Sequence, residues 1–372
     1  MHPVILVEAL GIDEPGGGRT AVLFLLDAVA RLCSHWRFVV LLSRRERLLD
    51  EHCNVRQIIL PARRGPWARL VAQFAVPIIA LMIRADLVHF AKSQASWVWR
   101  VKTVLTLFDL TTLRQPQWHS RWAVWYWRYI QPHMARRADA IITLSQHAAQ
   151  DIAETFHVAA DRLTVVPCAP QPLESGDLSE LPELPKRFIL FVGMIAHKKN
   201  LATLIRAIAL LEQQYADPVT LVIAGPRYRL SDGSSVLGLT SELKIERRVL
   251  YLGSISSSVL HHLYSNATLF VMPSTHEGFG IPSIEAMKCG VPVIAARASA
   301  LPEIVGDAGL LIDDFLSPHA WAAAIAGLLD DKHWREVLAA RGRQRAQSFT
   351  WEASARLLAG VHARLLGVIA PA

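Results

Sequence analysis

Short apolar runs separated by longer amphipathic stretches recur along the whole chain. In the first half, Val4–Val7, Phe38–Leu42, Ile58–Leu60, Leu87–Phe90, Val104–Phe108 and Ala140–Leu144 are too short for helices and rich in β-branched or large apolar side chains. They read as buried strands. The segments between them carry helical spacing, and strand–helix alternation of this kind predicts a mostly parallel sheet. From Val165 to Pro185 the pattern lapses: Pro167, Pro170, Pro172, Pro182 and Pro185 punctuate a stretch containing Glu174-Ser-Gly-Asp177, which reads as a linker. The pattern then restarts with Phe188–Val192, Thr220–Ala224, Val249–Leu252, Leu269–Met272 and Val293–Ala295. The expected fold is therefore α/β, with two Rossmann-like doubly wound domains at 1–170 and 186–349. A length of 372 residues, beyond the usual limit of a single core, agrees with two domains.

Composition narrows the class. Hydrophobic residues make up 52% of the chain, enough for two buried sheets. The longest apolar stretch, Leu70–Ile83, is broken by Gln73 and Pro77 and falls short of the 18 or so residues a membrane span needs. Met1–Val7 has neither a basic leader nor a cleavage site and reads as a first strand, so a cytoplasmic protein is expected. Cys33, Cys53, Cys168 and Cys289 show no metal or disulfide spacing, which predicts reduced, mostly buried thiols. The net charge of +7 is uneven: 20 lysines and arginines face 13 acids up to residue 165, against 19 of each beyond it. Eight of the eleven tryptophans lie between Trp36 and Trp127, four of them packed with arginines in Trp118–Arg128. Trp and Arg together suit an anionic membrane interface, with core packing under a basic rim as the rival. No motif supports nucleic acid as a partner.

The densest chemical signal is Glu277-Gly-Phe-Gly-Ile-Pro-Ser-Ile-Glu285, entered from the apolar run Leu269–Met272. Gly278 and Gly280 allow a sharp turn, Pro282 suits a first helical turn, and the free amides of Gly278, Phe279, Gly280 and Ile281 then lie at a strand's carboxyl end, where anions bind. Two carboxylates beside an anion make sense as acceptors for hydroxyls, one on a sugar and one on a ribose. The stretch resembles the retaining glycosyltransferases of family 4, which have the GT-B fold. The likeness continues through Glu285–Ile294 and Ala298–Gly309, where Gly306–Gly309 reads as a turn.

That resemblance assigns further residues. Phe191-Val-Gly193-Met-Ile-Ala-His-Lys198-Lys199-Asn200 is similar to the family's diphosphate clamp, with Gly193, Lys198 and Lys199 binding the donor. Met194 stands where many members carry arginine, so Lys198, or Arg19 across the expected interdomain cleft, would supply the missing charge. Pro15-Gly-Gly-Gly18-Arg19-Thr20 opens a helix after the first strand and resembles the loop that closes over donor phosphates, which brings in Gly18 and Arg19. Phe108-Asp109 occupies the position of a common His-Asp pair. Asp109 would orient the acceptor hydroxyl or cap the next helix. The expected catalytic residues are thus Glu277, Lys199 and Asp109, with Glu285 on the ribose.

The resemblance also implies a donor on the C-terminal domain, an acceptor on the N-terminal one, and a last helix within 350–372 packing back on the first domain. No Asp-x-Asp or histidine cluster suggests a metal, and no cofactor is expected beyond the nucleotide-sugar donor. The implied activity is a retaining, metal-independent transfer of a hexose, with GDP-mannose as donor and a lipid-linked oligosaccharide of bacterial surface polysaccharide as acceptor, at the inner face of the plasma membrane. A UDP-hexose, a GDP-deoxyhexose, or a non-catalytic glycan-binding GT-B protein are the alternatives.

Overall fold

The computed structural model describes residues 2–12, 16–60, 66–93, 96, 101–173, 175–179, 181–214, 219–226 and 237–370, with backbone only at 66–70 and 214. Pro15, Glu174, Trp97, Trp99 and the side chain of Trp67, all used above, lie outside the described residues. The chain divides into two compact units, one formed by 1–169 with 350–372, the other by 170–349.

The first unit is built on a seven-stranded parallel sheet: β1 (Val4–Glu8), β2 (Arg37–Leu42), β3 (Val55–Ile59), β4 (Leu87–Phe90), β5 (Lys102–Thr106), β6 (Ala140–Thr143) and β7 (Leu163–Val165). Their spatial order is β3-β2-β1-β4-β5-β6-β7. Alternating side chains feed opposite faces, as strand geometry requires. Ile5, Val7, Val40 and Val104 pack beneath the helices Gly17–Leu32 and Trp351–Leu366, while Leu6, Leu41, Val88 and Leu105 pack beneath Pro66–Met82, Gln131–Arg137 and Gln146–Phe156. Strands covered on both faces read as unbroken apolar runs rather than alternating ones, which is why they stood out in the sequence.

The helix Trp351–Leu366 completes the first layer. Trp351 stacks on Phe24 at 5.8 Å, the Ser354 hydroxyl donates to the Pro167 carbonyl at 2.7 Å, and His362 meets His89 edge-on at 5.2 Å. Burial pushes His89 down to about 3, and burial with the neighbouring His89 holds His362 well below the usual histidine range. Both rings are buried, and His89 Nε2 lies 2.8 Å from Thr106 Oγ1.

The second unit carries a six-stranded parallel sheet of β8 (Phe188–Val192), β9 (Thr220–Ala224), β10 (Val249–Gly253), β11 (Leu269–Met272), β12 (Val293–Ala296) and β13 (Gly309–Ile312), ordered β10-β9-β8-β11-β12-β13. Strand order reverses between β8 and β11, the switch point at which open parallel sheets take their ligands.

Several details differ from the sequence reading. β3 runs Val55–Ile59 rather than Ile58–Leu60, taking in Arg56 and Gln57 at the sheet edge. β5 ends at Thr106 rather than Phe108. β7 and β13 are additional edge strands. Gly306–Ala308 forms a single 3-10 turn, and Gly309 opens β13 instead of closing a turn. Space explains Gly309: a Cβ there would meet the Val293 carbonyl at 2.8 Å, so glycine lets β13 approach β12. The cysteines are all free thiols, with Cys33 and Cys168 buried but Cys53 exposed.

Candidate active site

The two stretches richest in chemistry leave the adjacent strands β8 and β11. After β8, Gly193 adopts φ 155° and its amide donates to the Ala224 carbonyl at 2.9 Å. A Cβ at Gly193 would lie 3.4 Å from Cε of Lys199, so that side chain runs back over the glycine. His197–Lys199 makes one 3-10 turn, and Asn200, in the left-handed region at φ 51°, redirects the chain into the helix Leu201–Gln214. Asn200 is held by Nδ2 donating to the Phe315 carbonyl at 3.0 Å and by Oδ1 accepting from the Thr203 hydroxyl at 2.7 Å.

The loop after β11 closes on this turn. The Thr275 amide and hydroxyl both donate to the Lys198 carbonyl, at 2.8 and 3.2 Å. Lys199 Nζ reaches Glu277 Oε1 at 2.5 Å, joining residues 78 positions apart in a largely buried ion pair. Burial alone would raise the Glu277 carboxyl, but Lys199 and Lys198 outweigh it and hold the group below the usual carboxylate range. The Glu277 amide is also fixed, donating to Ser299 Oγ at 2.7 Å.

Beyond Glu277 the backbone is arranged for a ligand. Gly280 sits at φ 101° as the residue before the helix Ile281–Lys288, and a Cβ there would come within 2.9 Å of Leu301 Cδ2. No side chain caps this helix. Among the described residues, the amides of Gly278, Phe279, Gly280 and Ile281 have no protein acceptor. Successive open amides at a helix start are the kind of arrangement that attracts anions. The Phe279 ring is not part of it, being buried edge-on against Phe349 at 5.6 Å.

Glu285, one helical turn further on, is an interior carboxyl. Its Oε2 accepts from Tyr264 Oη at 2.9 Å. Burial pushes it up to about 7, opposed by the hydrogen bonds from Tyr264 and the Gln171 amide.

In the first unit, Gly16 at φ 148° precedes the helix that begins at Gly17, again with no side-chain cap, and a Cβ on Gly18 would touch Phe108 at 3.4 Å. Arg19 forms a bidentate pair with Glu46, at 2.6 and 2.5 Å, so its charge is matched within its own unit. Burial works against the Glu46 carboxylate, yet Arg19 and Arg44 keep it below its ordinary range. Asp109 Oδ1 accepts from the Thr111 amide at 2.9 Å, two residues on, at the start of the short helix Thr111–Arg114, whose N-cap residue is Leu110. No group of three His, Cys, Asp or Glu side chains poised to hold a metal occurs among the described residues.

With this geometry in hand, the known proteins decide the family. Residues 15–169 match the family model described as Glycosyltransferase Family 4, and residues 179–345 the one described as Glycosyl transferases group 1. The chain belongs to glycosyltransferase family 4. This glycosyltransferase is similar to the O-antigen chain mannosyltransferase B of Escherichia coli, 33% identical over 68% of this chain and 67% of that protein. It also matches the D-inositol 3-phosphate glycosyltransferase of Corynebacterium glutamicum, with 30% identity over 74% of this chain and 72% of the relative. In fold it is similar to the sucrose-phosphate synthase of Thermosynechococcus elongatus, at a TM-score of 0.78 and 23% identity, covering 98% of this chain and all of that one. The architecture is GT-B, with two Rossmann-like units.

Several residues that build the glycosyltransferase's site carry no local sequence signal. Gly225, after β9, lies so close to Gly193 that a Cβ would fall 2.2 Å from the Gly193 carbonyl oxygen. Tyr251 Oη donates to the Gly225 carbonyl at 3.0 Å. Ser299, at φ 47°, presents the hydroxyl that holds Glu277. Only a glycine directly after the predicted strand Thr220–Ala224 hinted at any of them.

Proposed function

We propose that this glycosyltransferase moves mannose from GDP-mannose, with retention and without a metal, to a lipid-linked glycan of bacterial surface polysaccharide at the inner face of the plasma membrane. The observation that carries the donor half is the junction of Lys199 and Glu277 with the four open amides at the β8/β11 switch point. As the anomeric carbon–oxygen bond breaks, negative charge grows on the nucleotide's β-phosphate, and donors already aimed at that charge stabilise the transition state more than the ground state. In this reading the Lys199 ammonium leaves Glu277 for the diphosphate, and Glu277 turns to the sugar hydroxyls. Mannose as the sugar, and the glycan as the product, rest on the likeness to the O-antigen mannosyltransferase.

The test is a panel of nucleotide sugars read by thermal shift and by transfer to a polyprenyl-linked acceptor. Ligand binding to the folded state raises the midpoint as its concentration passes Kd. GDP-mannose is expected to give the largest shift and to support transfer. A larger shift and turnover with UDP-glucose or a GDP-deoxyhexose would replace the donor. Binding without turnover of any donor would make this a non-catalytic glycan-binding member of the family.

A further inference from the structure

The helix Pro66–Met82 buries Ala72, Val76 and Ala80 against the sheet of the first unit, yet its opposite side is just as apolar. Phe74, Ile78, Leu81 and Met82 are each more than half exposed. Their spacing places them along one helical stripe. The helix Arg121–Tyr129 offers a second such surface. Trp122 and Trp125 stack at 4.8 Å with an interplanar angle of 17°, Tyr129 continues the row at 6.0 Å, and all three are about half exposed.

The two surfaces belong to one layer. Trp127 and Ile130, at the end of the second helix, pack into the same cluster that takes Ala72, Val76 and Ala80, on the same face of the seven-stranded sheet. Helices laid on one sheet face turn their outer sides the same way. The two helices themselves carry no acid: neither residues 52–85 nor residues 110–138 contain an Asp or Glu, and on the neighbouring helix Gln146–Phe156 of the same layer Asp151 is paired with Arg114. Arg84, Arg121 and Arg128 are exposed, and none of them has an acidic partner among the described residues.

We propose that this helical layer docks on an anionic lipid bilayer, with Pro66–Met82 lying in the interface plane, its Phe74–Met82 stripe in the acyl boundary and the Trp122–Trp125–Tyr129 row at the headgroups. Charge and shape select this occupant. An exposed apolar stripe favours any apolar partner, but aromatic side chains with a polar edge, interleaved with unpaired arginines and no acid, match the layered polarity of a membrane surface. A second copy would bring arginine against arginine. No helix among the described residues is long and apolar enough to cross a membrane. The proposal deepens the reading of a lipid-linked acceptor by naming the surface that would bring the enzyme to it.

Vesicle co-sedimentation of the whole protein tests it. Wild type is expected to bind phosphatidylcholine vesicles containing phosphatidylglycerol, and to bind phosphatidylcholine alone more weakly. Phe74→Ser combined with Leu81→Ser should lose at least tenfold on both. Arg121→Gln combined with Arg128→Gln should lose roughly fivefold per charge on the anionic vesicles, and little on the neutral ones. Absence of binding at low salt, or binding that neither pair of substitutions alters, overturns the proposal. So does a wild-type dimer in sedimentation velocity that the Phe74/Leu81 variant renders monomeric while vesicles stay unbound. Because these residues lie far in sequence from the donor site, the nucleotide-sugar thermal shift should be the same in every variant. Vesicle binding lost in wild type with that shift intact would sink this surface and leave the donor reading standing.

Discussion

A Lys199→Ala enzyme is expected to turn over its donor two to three decades more slowly than the native one, a loss of about 2.7–4 kcal/mol of transition-state stabilisation. The magnitude is that of removing one preset donor from a site where charge develops. Lys199 is bonded to Glu277, the residue that precedes the four open amides, and its position is fixed by that bond and by the turn at Asn200. The substitution has a second effect. It strips the partner from a buried carboxylate, and breaking one side of such a pair costs on the order of 3–5 kcal/mol of stability. The two effects separate in the double variant Lys199→Ala/Glu277→Gln, where no orphaned charge remains. Its thermal midpoint should return most of the way to native while its kcat stays low. The pair's contribution to stability is present above the ordinary carboxylate range and lost as pH falls through the depressed Glu277 value, so the comparison belongs near neutral pH. A double variant that recovers both stability and kcat would show that Lys199 matters only for holding Glu277.

Gly225→Ala should be the most disruptive single methyl in the second unit. The added carbon would fall 2.2 Å from the Gly193 oxygen and 2.6 Å from its carbonyl carbon, and the residue sits at φ 140°, a region other residues rarely adopt. Both neighbours are backbone, so nothing flexible can give way. Separating the two chains should cost on the order of 3 kcal/mol, read in calorimetry as a fall of roughly 6–12 °C. It should also slow turnover, because Gly193 is what the Lys199 side chain lies against. Gly327→Ala is the control. That glycine lies inside the helix Pro318–Asp330 with nothing within 4 Å of an added Cβ, so alanine should stabilise by about 0.5–1 kcal/mol. A Gly225→Ala protein as stable as native would mean that the ends of β8 and β9 do not approach this closely.

The strands were legible because both sheets are parallel and covered, so most of them appear as plain apolar runs; β3, with Arg56 and Gln57 at a sheet edge, shows only its apolar end. β7 and β13 escaped because they are short edge strands with half-buried residues. β7 has only three residues, Leu-Thr-Val, and β13 opens on Gly309, which reads as the end of a turn. The Lys199 and Glu277 segments were found because glycines, a proline and a charge crowd into one strand exit. That the two charges pair directly is a tertiary fact that no spacing encodes. The same holds for Arg19, whose partner Glu46 follows the next strand, and for Glu285, whose partner Tyr264 lies on the preceding helix. Asp109 shows the limit of motif reading: a short carboxylate at a strand exit is as well suited to capping a helix as to touching a substrate.

The chain returns to its first unit only in its last residues. Ala355, Leu358, Ala359, Val361 and Ala363 fill the core on one face of the N-terminal sheet, although the whole of 170–349 separates them from it in sequence. A ribosome therefore releases the second unit's complete sequence before the first can seal. During synthesis one apolar face of the first sheet waits uncovered for its last helix, and until that helix emerges the face is open to non-native contacts.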